Sequence, residues 1–183
     1  MTAMQESRKI FLVGYTGCGK TSLGRKLARR LHIRFIDTDD EIEQREQASV
    51  GDIFHYAGEE YFRRAERAVL EQIASDDGDA VVSTGGGMPV RGDNAELLNK
   101  LGITVYIRRK AEQIARRLTP YGRAKRPRLH GLNDAELTEF MERDIEAREP
   151  YYAKAHYTID GSLHNDAELL DELLKIFTKG NEQ

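Results

Sequence analysis

The stretch Gly14-Tyr15-Thr16-Gly17-Cys18-Gly19-Lys20-Thr21-Ser22 follows an apolar run at 10–13 and precedes a stretch of helical periodicity that ends at Leu31. Its form, Gly-x-x-x-x-Gly-Lys-Thr between a strand and a helix, is the phosphate-loop pattern. The glycines let consecutive backbone N–H groups surround an anion at the positive end of the helix. Lys20 would reach the β- and γ-phosphates, and Thr21 would offer its hydroxyl to Mg²⁺.

This loop is therefore predicted to bind a nucleoside triphosphate together with Mg²⁺. A glycine-rich turn without a ligand is the weaker alternative, because the complete pattern stands in its required context. The loop does not separate a kinase from a hydrolase, a switch or a motor, since all of them share it. The residues predicted to contact the nucleotide are Gly14, Thr16, Gly17, Cys18, Gly19, Lys20, Thr21 and Ser22.

Length and charge restrict the class of protein. A chain of 183 residues fits one domain, which we predict to span residues 1–183. A net charge of −3 provides no general basic surface for nucleic acid or membrane, so any recognition of anions is local. The single cysteine, Cys18, excludes an internal disulfide framework and fits a reducing compartment. With no signal-like start and no apolar run of about 18 residues, we expect a monomeric cytoplasmic protein that binds neither nucleic acid nor membrane.

Short apolar runs alternate with longer amphipathic stretches, a rhythm typical of a parallel sheet covered by helices. Ser49 and Asp52 form a capping pattern that opens a short helix through Phe54. The stretch at 119–133 fits neither the strand nor the helix period. The predicted strands are Ile10–Val13, Arg34–Asp37, Ala80–Thr84, Thr104–Ile107 and Tyr157–Ile159. The predicted helices are Thr21–Leu31, Glu59–Ala74, Asn94–Leu101, Ala111–Leu118, Asp134–Arg148 and Asp166–Phe177.

The second predicted strand ends in acidic residues, Asp37-Thr38-Asp39-Asp40-Glu41. Ligands of an open parallel sheet bind beyond the carboxyl ends of its strands, which places Asp37 and Asp39 beside the phosphate loop. Carboxylates there can hold the water ligands of Mg²⁺ or accept a proton from an attacking hydroxyl. The alternative is that acidic residues cap the next helix and complement its dipole, an interpretation that suits Asp40 and Glu41.

The third predicted strand ends in Thr84-Gly85-Gly86-Gly87. Successive glycines allow the backbone to approach a ligand closely and to present its N–H groups. A tight turn before the next helix is the alternative, but one glycine would suffice for it. The triplet therefore favours a binding wall.

Two arginines, Arg63 and Arg148, lie in predicted helices next to acidic residues. On the residues alone, each is better explained as a solvated helix-face residue with a local ion-pair partner. Arginine is also the side chain that holds a carboxylate in a two-pronged contact. Both residues therefore remain candidates for binding an acidic substrate.

The segment at 116–128 carries six Lys or Arg residues and no acidic residue. A nucleic-acid patch would use such residues to neutralise phosphates. However, the chain is acidic overall, and only Tyr121 supplies an aromatic ring for stacking. We prefer a mobile lid, at about 119–133, that closes arginines over the triphosphate and excludes water.

In chain order and at similar separations, these motifs resemble the shikimate kinase family. The resemblance covers roughly residues 8–178. It implies an α/β, three-layer P-loop kinase fold of the nucleoside-monophosphate-kinase type, with a five-stranded parallel sheet in the order 2-3-1-4-5. It also implies ATP-dependent, Mg²⁺-dependent phosphorylation of the 3-hydroxyl of shikimate in aromatic amino-acid (chorismate) biosynthesis. The motifs are the phosphate loop, the Asp-Thr-Asp at 37–39, Phe62-Arg63-Arg64, Thr84-Gly85-Gly86-Gly87, Arg126-Pro127 and Arg148-Glu149-Pro150-Tyr151-Tyr152.

The resemblance also implies a role for individual residues. Lys20, Asp39 and Arg126 would be catalytic, with Arg126 reaching from the lid to the phosphates. Asp39 would contact the shikimate hydroxyls and is the candidate base. Arg117 would lie against the adenine, and Asp37 would reach Mg²⁺ through water. The shikimate-binding residues, with a helical substrate-binding region at about 38–66, would be Asp39, Arg63, Gly85, Gly86, Gly87 and Arg148.

This chain departs from the family pattern at two places. After Arg126-Pro127 the family commonly continues with two leucines, whereas this chain has Arg128-Leu129. Arg128 therefore competes with Arg126 for the role at the phosphates. The loop at 161–165 lacks the arginine that some members place against the adenine.

Three other functions stay open from the sequence. A P-loop kinase of another small hydroxy acid, such as gluconate, would share the loop and the lid but need not place Arg63 and Arg148 against a carboxylate. A nucleotide-hydrolysing switch would need a guanine-specific segment, and the sequence contains no Asn-Lys-x-Asp motif. A nucleic-acid module would bind through the basic segment with a steep salt dependence.

Overall fold

The computed structural model describes residues 8–124 and 129–179, which form alternating strands and helices. They also include a π-helical turn at Ile53–Ala57 and a 3₁₀ turn at Met88–Val90. The strands are β1 (Lys9–Val13), β2 (Arg34–Asp37), β3 (Ala80–Ser83), β4 (Ile103–Arg108) and β5 (Tyr157–Asp160). The helices are α1 (Lys20–Leu31), α2 (Thr38–Glu46), α3 (Val50–Asp52), α4 (Gly58–Ser75), α5 (Asn94–Leu101), α6 (Ala111–Arg117), α7 (Pro120–Ala124), α8 (Asp134–Tyr152) and α9 (Asp166–Lys179).

The five strands form one parallel sheet in the order β2-β3-β1-β4-β5, as predicted. Side chains along a strand alternate between the two faces of a sheet. Every residue of β1 and of β3 is buried, so both faces of the sheet centre are covered. The architecture is therefore the predicted three-layer α/β arrangement.

The register of the sheet aligns the carboxyl ends of three neighbouring strands. Asp37 at the end of β2 pairs with Ser83 at the end of β3, and Ser83 pairs with Leu12 of β1. Because the strands are parallel, the loops that follow them leave the sheet at the same edge. The acidic residues, the glycine triplet and the phosphate loop are therefore neighbours.

Helix α1 packs close to the sheet through Gly24. An ideal Cβ at this position would lie 2.6 Å from Cε2 of Phe35 and 3.3 Å from Cδ1 of Leu12. Leu23 and Leu27 of the same helix are fully buried in the core. This packing fixes the first turn of α1 relative to the end of β1.

Two helix starts are capped by side chains: Ser49, as predicted, and Asp37, for which capping was the alternative to a role at Mg²⁺. The hydroxyl of Ser49 accepts a hydrogen bond from the N–H of Asp52 at 3.1 Å and caps α3. Oδ1 of Asp37 accepts a hydrogen bond from the N–H of Asp39 at 3.1 Å and caps α2. The acidic residues at 40–41 lie in the first turn of α2, where they complement the helix dipole, as predicted.

Helix α8 is longer than predicted. The prediction ended it at Arg148, since Pro150 lacks a backbone donor and usually breaks a helix. The helix instead continues to Tyr152, with Pro150 inside it. Tyr152 is fully buried, with its ring centroid 5.2 Å from that of Tyr106, and this packing holds the last turn in place. No helix in the described part of the chain, α8 included, is long and apolar enough to cross a membrane.

The segment at 119–133 was predicted to be irregular, but it contains the short helix α7. The hydroxyl of Thr119 accepts a hydrogen bond from the N–H of Gly122 at 3.0 Å and so caps this helix. Pro120 occupies the first helical position, where a missing N–H does no harm. A helix start that depends on local capping does not alter the spacing of apolar residues, so the periodicity did not predict α7. The central lid residues at 125–128 lie outside the described residues.

Candidate active site

The loop between β1 and α1 has the backbone conformation that its glycines permit. Gly14, Gly17 and Gly19 have φ angles of 143°, 80° and 109°, a region that other L-residues rarely adopt. An ideal Cβ at Gly14 would also lie 2.8 Å from the carbonyl oxygen of Ile107. Within the described residues, no side chain caps α1, and its first turn contains no acidic residue. The positive end of α1 can therefore accept an external anion.

Lys20 is buried at the start of α1, with 6% of its surface exposed. Its ammonium donates to the carbonyl oxygens of Gly14 at 2.8 Å and Tyr15 at 2.9 Å. A buried charge is costly unless it is paired or hydrogen-bonded, and these two bonds satisfy the lysine inside the loop. A phosphate group would offer the same ammonium stronger, charge-assisted partners.

Oxygen-bearing side chains meet beside the first turn of α1. The hydroxyl of Thr21 donates to Oδ2 of Asp37 at 2.8 Å, and Oγ of Ser83 lies 3.4 Å from the same hydroxyl. Mg²⁺ prefers oxygen ligands, keeps several waters, and is usually held by one or two protein oxygens together with substrate phosphates. The pair of Thr21 and Asp37 meets these requirements.

Asp39 lies in acidic surroundings at the start of α2. Its burial raises its pKa to about 7, and the negative charges of Asp37 and Glu66 act in the same direction. Lys20 opposes this shift. Oδ1 of Asp39 is buried and has no hydrogen-bond partner within the described residues. An unsatisfied buried acceptor costs free energy, so this oxygen is well placed to receive a donor such as a substrate hydroxyl.

The glycine triplet at 85–87 lies against three other parts of the site. An ideal Cβ on the first glycine would lie 2.7 Å from Oδ1 of Asp39, on the second 3.0 Å from the backbone N of Thr16, and on the third 2.8 Å from Nη1 of Arg63. The N–H of Gly85 also donates to the buried hydroxyl of Thr38 at 2.9 Å. Each glycine permits a close approach of a different part of the protein, so a simple turn does not account for all three, and the binding wall remains a prediction.

Arg63, on α4, is held by two carboxylates of its own helix. Its Nη1 donates to Oε2 of Glu66 at 2.6 Å, and its Nη2 donates to Oε1 of Glu59 at 3.1 Å. The guanidinium carbon also lies 5.7 Å and 5.3 Å from the ring centroids of Phe54 and Phe62. Glu66 is almost completely buried, and burial raises its pKa although Arg63 opposes the shift. These contacts orient the guanidinium towards the third glycine of the triplet.

Arg148, on α8, lies between the phosphate loop and the glycine triplet. Its Nε and Nη2 form a two-pronged contact with Asp144, at 3.1 Å and 2.9 Å. Its Nη1 lies 3.5 Å from the carbonyl oxygen of Gly86, and its guanidinium carbon lies 5.4 Å from the ring centroid of Tyr15. The two predicted carboxylate-binding arginines therefore reach adjacent glycines of one loop.

Arg117, at the end of α6, forms a two-pronged ion pair with Asp166, with both N–O distances at 3.2 Å. Arg109, which is 7% exposed, also contacts Asp166, at 3.4 Å. Nε of Arg109 donates to the carbonyl oxygen of Cys18 at 3.1 Å. This cluster links the predicted adenine-binding residue directly to the phosphate loop, and Nη2 of Arg117 lies 3.5 Å from an ideal Cβ at Gly19.

The predicted site residues of the described chain thus lie along one edge of the sheet, whereas Arg126 and Arg128 lie outside the described residues. The sequence predicted a local acidic partner for each of the two arginines but did not identify which residue it is. Glu66 and Asp144 had a local signal, because each lies one helical turn from Arg63 or Arg148. The further residues missed, which have no such signal, are Tyr15 as a side-chain contact, Arg109 and Asp166.

The sheet has the strand order β2-β3-β1-β4-β5 and a phosphate loop after its first strand, and an aspartate and two arginines meet one glycine-rich loop. This combination is typical of a P-loop kinase of small molecules. The family model for shikimate kinase matches residues 16–178. The chain therefore belongs to the shikimate kinase family.

Individual relatives agree with this assignment. The shikimate kinase of Parabacteroides distasonis is 42% identical over 153 residues, which cover 84% of this chain and 87% of the relative. The solved shikimate kinase of Bacteroides thetaiotaomicron superposes with a TM-score of 0.85 at 37% identity, covering 93% of this chain and 98% of the other. The shikimate kinase of Acinetobacter baumannii, solved in complex with shikimate, superposes with a TM-score of 0.84 at 33% identity, covering 99% of this chain and 98% of the other. These matches confirm the predicted family, fold and reaction, the phosphorylation of shikimate by ATP, and give no support to the alternative of another hydroxy acid.

Proposed function

We propose that the residues along this sheet edge perform the phosphorylation of shikimate at its 3-hydroxyl, with ATP bound at the phosphate loop and Mg²⁺ beside it. The observation that carries the proposal is the convergence of Asp39, Arg63 and Arg148 on the glycine triplet, next to that loop. We further propose that the enzyme acts as a monomer in the cytoplasm. A coupled assay of ADP release tests the reaction with shikimate, gluconate and other small hydroxy acids as acceptors, and equal rates with all of them would contradict it.

On the donor side, the backbone N–H groups at the start of α1 and the ammonium of Lys20 would bind the phosphates of ATP. Lys20 would exchange its bonds to the carbonyls of Gly14 and Tyr15 for bonds to phosphate oxygens. The transition state of phosphoryl transfer spreads charge over the equatorial oxygens. An ammonium that is already fixed in a site of low dielectric constant therefore stabilises that charge, and the surrounding groups do not have to rearrange during the reaction.

Thr21 would bind Mg²⁺ directly, and Asp37 would hold it through water. Mg²⁺ held by these two residues would supply positive charge that offsets the negative charge of the phosphates during transfer. In the structure, Asp37 already orients the Thr21 hydroxyl while its other oxygen caps α2, so both side chains are held in place.

On the acceptor side, Arg63 and Arg148 would bind the carboxylate of shikimate. A guanidinium has five N–H donors, so the contacts with Glu66 and Asp144 fix each arginine and leave donors for the substrate. The glycine triplet would let the substrate ring approach the backbone closely. The carboxylate contact would set the distance of the 3-hydroxyl from the γ-phosphate.

Asp39 would accept a hydrogen bond from the 3-hydroxyl and orient it for attack. In a loose transition state the hydroxyl proton is lost late, so a strongly basic residue is not required. A carboxylate with a pKa of about 7 is ionised enough to accept that proton near neutral pH. We propose Arg126 as the residue that adds positive charge over the phosphates from the lid, with Arg128 as its competitor.

Arg148→Lys is expected to raise KM for shikimate by about tenfold or more, the effect of losing a charge-assisted hydrogen bond. Lysine keeps the charge but cannot make a two-pronged contact, so KM for ATP is expected to change by less than about twofold. Steady-state kinetics with each substrate varied in turn measures both values. Arg143→Lys is the matched control, because Arg143 is an exposed residue of the same helix that pairs only loosely with Glu139, at 3.6 Å. An equal rise in both KM values would place Arg148 on the nucleotide side.

Asp166→Asn is expected to raise KM for ATP about three- to tenfold, the cost of one weakened ionic hydrogen bond. The carboxylate holds Arg117 in a fixed plane, so its loss leaves the proposed adenine contact free to rotate. KM for shikimate is expected to stay constant. Asp93→Asn is the control, since it weakens the 2.8 Å ion pair between Arg67 of α4 and Asp93, the residue just before α5. An unchanged KM for ATP would show that Arg117 does not contact the adenine.

A further inference from the structure

One side chain of the phosphate loop touches the acceptor half of the site. Tyr15 is 3% exposed, and its hydroxyl donates to Oδ2 of Asp144 at 2.8 Å. The same carboxylate makes the two-pronged contact with Arg148. The ring of Tyr15 lies under the guanidinium of Arg148, 5.4 Å from its carbon, within the range of a cation–π contact. Tyr15 therefore fixes Arg148 both directly and through Asp144.

The backbone of Tyr15 belongs to the donor half of the site. Its carbonyl oxygen accepts a hydrogen bond from the ammonium of Lys20 at 2.9 Å. Nucleotide binding would draw Lys20 away from this carbonyl to the phosphates, and the backbone N–H groups of the loop would then hold the loop around the phosphates instead. The side chain of Tyr15 would connect the position of the loop to Asp144, because its hydroxyl donates a hydrogen bond to that carboxylate. Burial and the neighbouring Asp144 raise the pKa of Tyr15, so the hydroxyl stays protonated as a donor.

We infer that Tyr15 is a positioning residue that couples the two substrates: nucleotide held by the phosphate loop fixes Tyr15, and Tyr15 with Asp144 holds Arg148 in the orientation that binds the shikimate carboxylate. The inference rests on the proposed role of Arg148. Coupling between two ligands is reciprocal, so shikimate tightens nucleotide binding by the same factor that nucleotide tightens shikimate binding.

The chain contains a matched control for this bond. Tyr106 is also a buried tyrosine whose hydroxyl donates to a carboxylate of α8, that of Glu149, at 2.5 Å. It extends from β4 and contacts neither Lys20 nor Arg148 through this bond. Tyr106→Phe thus removes a similar buried hydrogen bond between the sheet and the same helix without touching the proposed link.

The experiment measures binding by calorimetry in the wild type, Tyr15→Phe and Tyr106→Phe. Kd for shikimate is determined without nucleotide and with saturating Mg²⁺ and a non-hydrolysable ATP analogue, and Kd for the analogue with and without shikimate. We expect the ratio of the two shikimate Kd values to fall by at least about threefold in Tyr15→Phe, within the usual range of coupling factors. The nucleotide ratio falls equally, and Tyr106→Phe keeps both ratios. The phenylalanine retains the ring under Arg148, so the effect reports on the hydroxyl alone.

A second variant separates coupling from a general loss of structure. In an Asp144→Ala background, Tyr15→Phe is expected to add nothing further to the loss of coupling, because alanine removes the acceptor of the Tyr15 hydroxyl and both changes break the same link. Tyr15 would be a structural residue only if the two changes reduced the coupling additively. The same conclusion would follow if Tyr15→Phe bound shikimate more weakly but kept the ratio of its two shikimate Kd values. A wild-type ratio of one would overturn the inference while leaving the proposed function intact. Wild-type protein that neither binds nor phosphorylates shikimate would overturn the proposed function and the inference with it.

Discussion

Lys20→Ala is expected to lower kcat by about 10³-fold, the effect of removing one preorganised donor from a transition-state oxyanion. The ammonium is held at the start of α1 by two loop carbonyls, so it is in place before the charge on the phosphates develops. KM for shikimate is expected to change less than kcat, because Lys20 acts on the acceptor half only through its charge near Asp39 and its bond to the backbone of Tyr15. A coupled assay at saturating ATP and shikimate measures the loss.

The control for this substitution is Lys100→Ala, since Lys100 is an exposed lysine at the end of α5. Circular dichroism establishes that both variants fold. The alanine at position 20 leaves the carbonyls of Gly14 and Tyr15 without their donor, so some loss of thermal stability is expected and does not count against the assignment. A folded Lys20→Ala protein with kcat within about threefold of the wild type, a small change on the barrier scale, would contradict the phosphate-loop role.

Asp39→Asn is expected to lower kcat by about 10²- to 10³-fold, the usual contribution of a positioned proton acceptor. Asparagine keeps the shape but loses the negative charge that accepts the hydroxyl proton. In the wild type, kcat/KM for shikimate is expected to rise with pH through about 7 and then level off, because Asp39 acts as the ionised form and its pKa is about 7. In Asp39→Asn this rise is expected to disappear.

Asp40→Asn is the control, because Asp40 is the next residue of α2 and pairs with Arg25 on an exposed surface. The pH profile is measured from pH 5 to pH 9 at constant ionic strength. A variant at position 39 that keeps both kcat and the pH-dependent rise would show that another group accepts the proton. A rise in KM alone, with kcat unchanged, would restrict Asp39 to substrate binding.

The same substitution is expected to stabilise the ligand-free protein at alkaline pH. Burial raises the pKa of Asp39 above its ordinary value, so between pH 4 and pH 7 the folded state binds a proton that the unfolded state has lost. The stability that this group contributes is present at acidic pH and is lost as the pH rises through about 7. Asp39→Asn is therefore expected to raise Tm at pH 8 and to leave it nearly unchanged at pH 4. A lower Tm of Asp39→Asn than of the wild type at pH 8 would show that the ionised carboxylate does not destabilise the folded state.

The local features of this protein were readable from its sequence. The phosphate loop depends on glycines at fixed offsets and on a helix start, and these follow one another within nine residues. The caps at Ser49 and Asp37 depend on a side chain and an N–H group two or three residues apart. The central strands follow from apolar runs, because every side chain of β1 and β3 is buried and the two faces of the sheet are covered there. The order of the strands came from the family resemblance, since periodicity carries no information about which strands pair.

The tertiary structure decided how each site residue is held. The Tyr15–Asp144 bond joins residues 129 positions apart, the Arg117–Asp166 pair spans 49, and Arg148 meets Gly86 across 62. Helix α8 continues past Pro150 to Tyr152, which packs against Tyr106 and donates a hydrogen bond to the carbonyl oxygen of Gly86, and no pattern within the helix contains these two contacts. The raised pKa of Asp39 has the same origin, because it depends on burial and on the charge of Glu66 from another helix. Local sequence patterns determine the backbone conformation, because it depends on residues that are neighbours in the chain. Ion-pair partners and burial depend instead on which distant segments the packed sheet and helices bring within a few ångströms of each other.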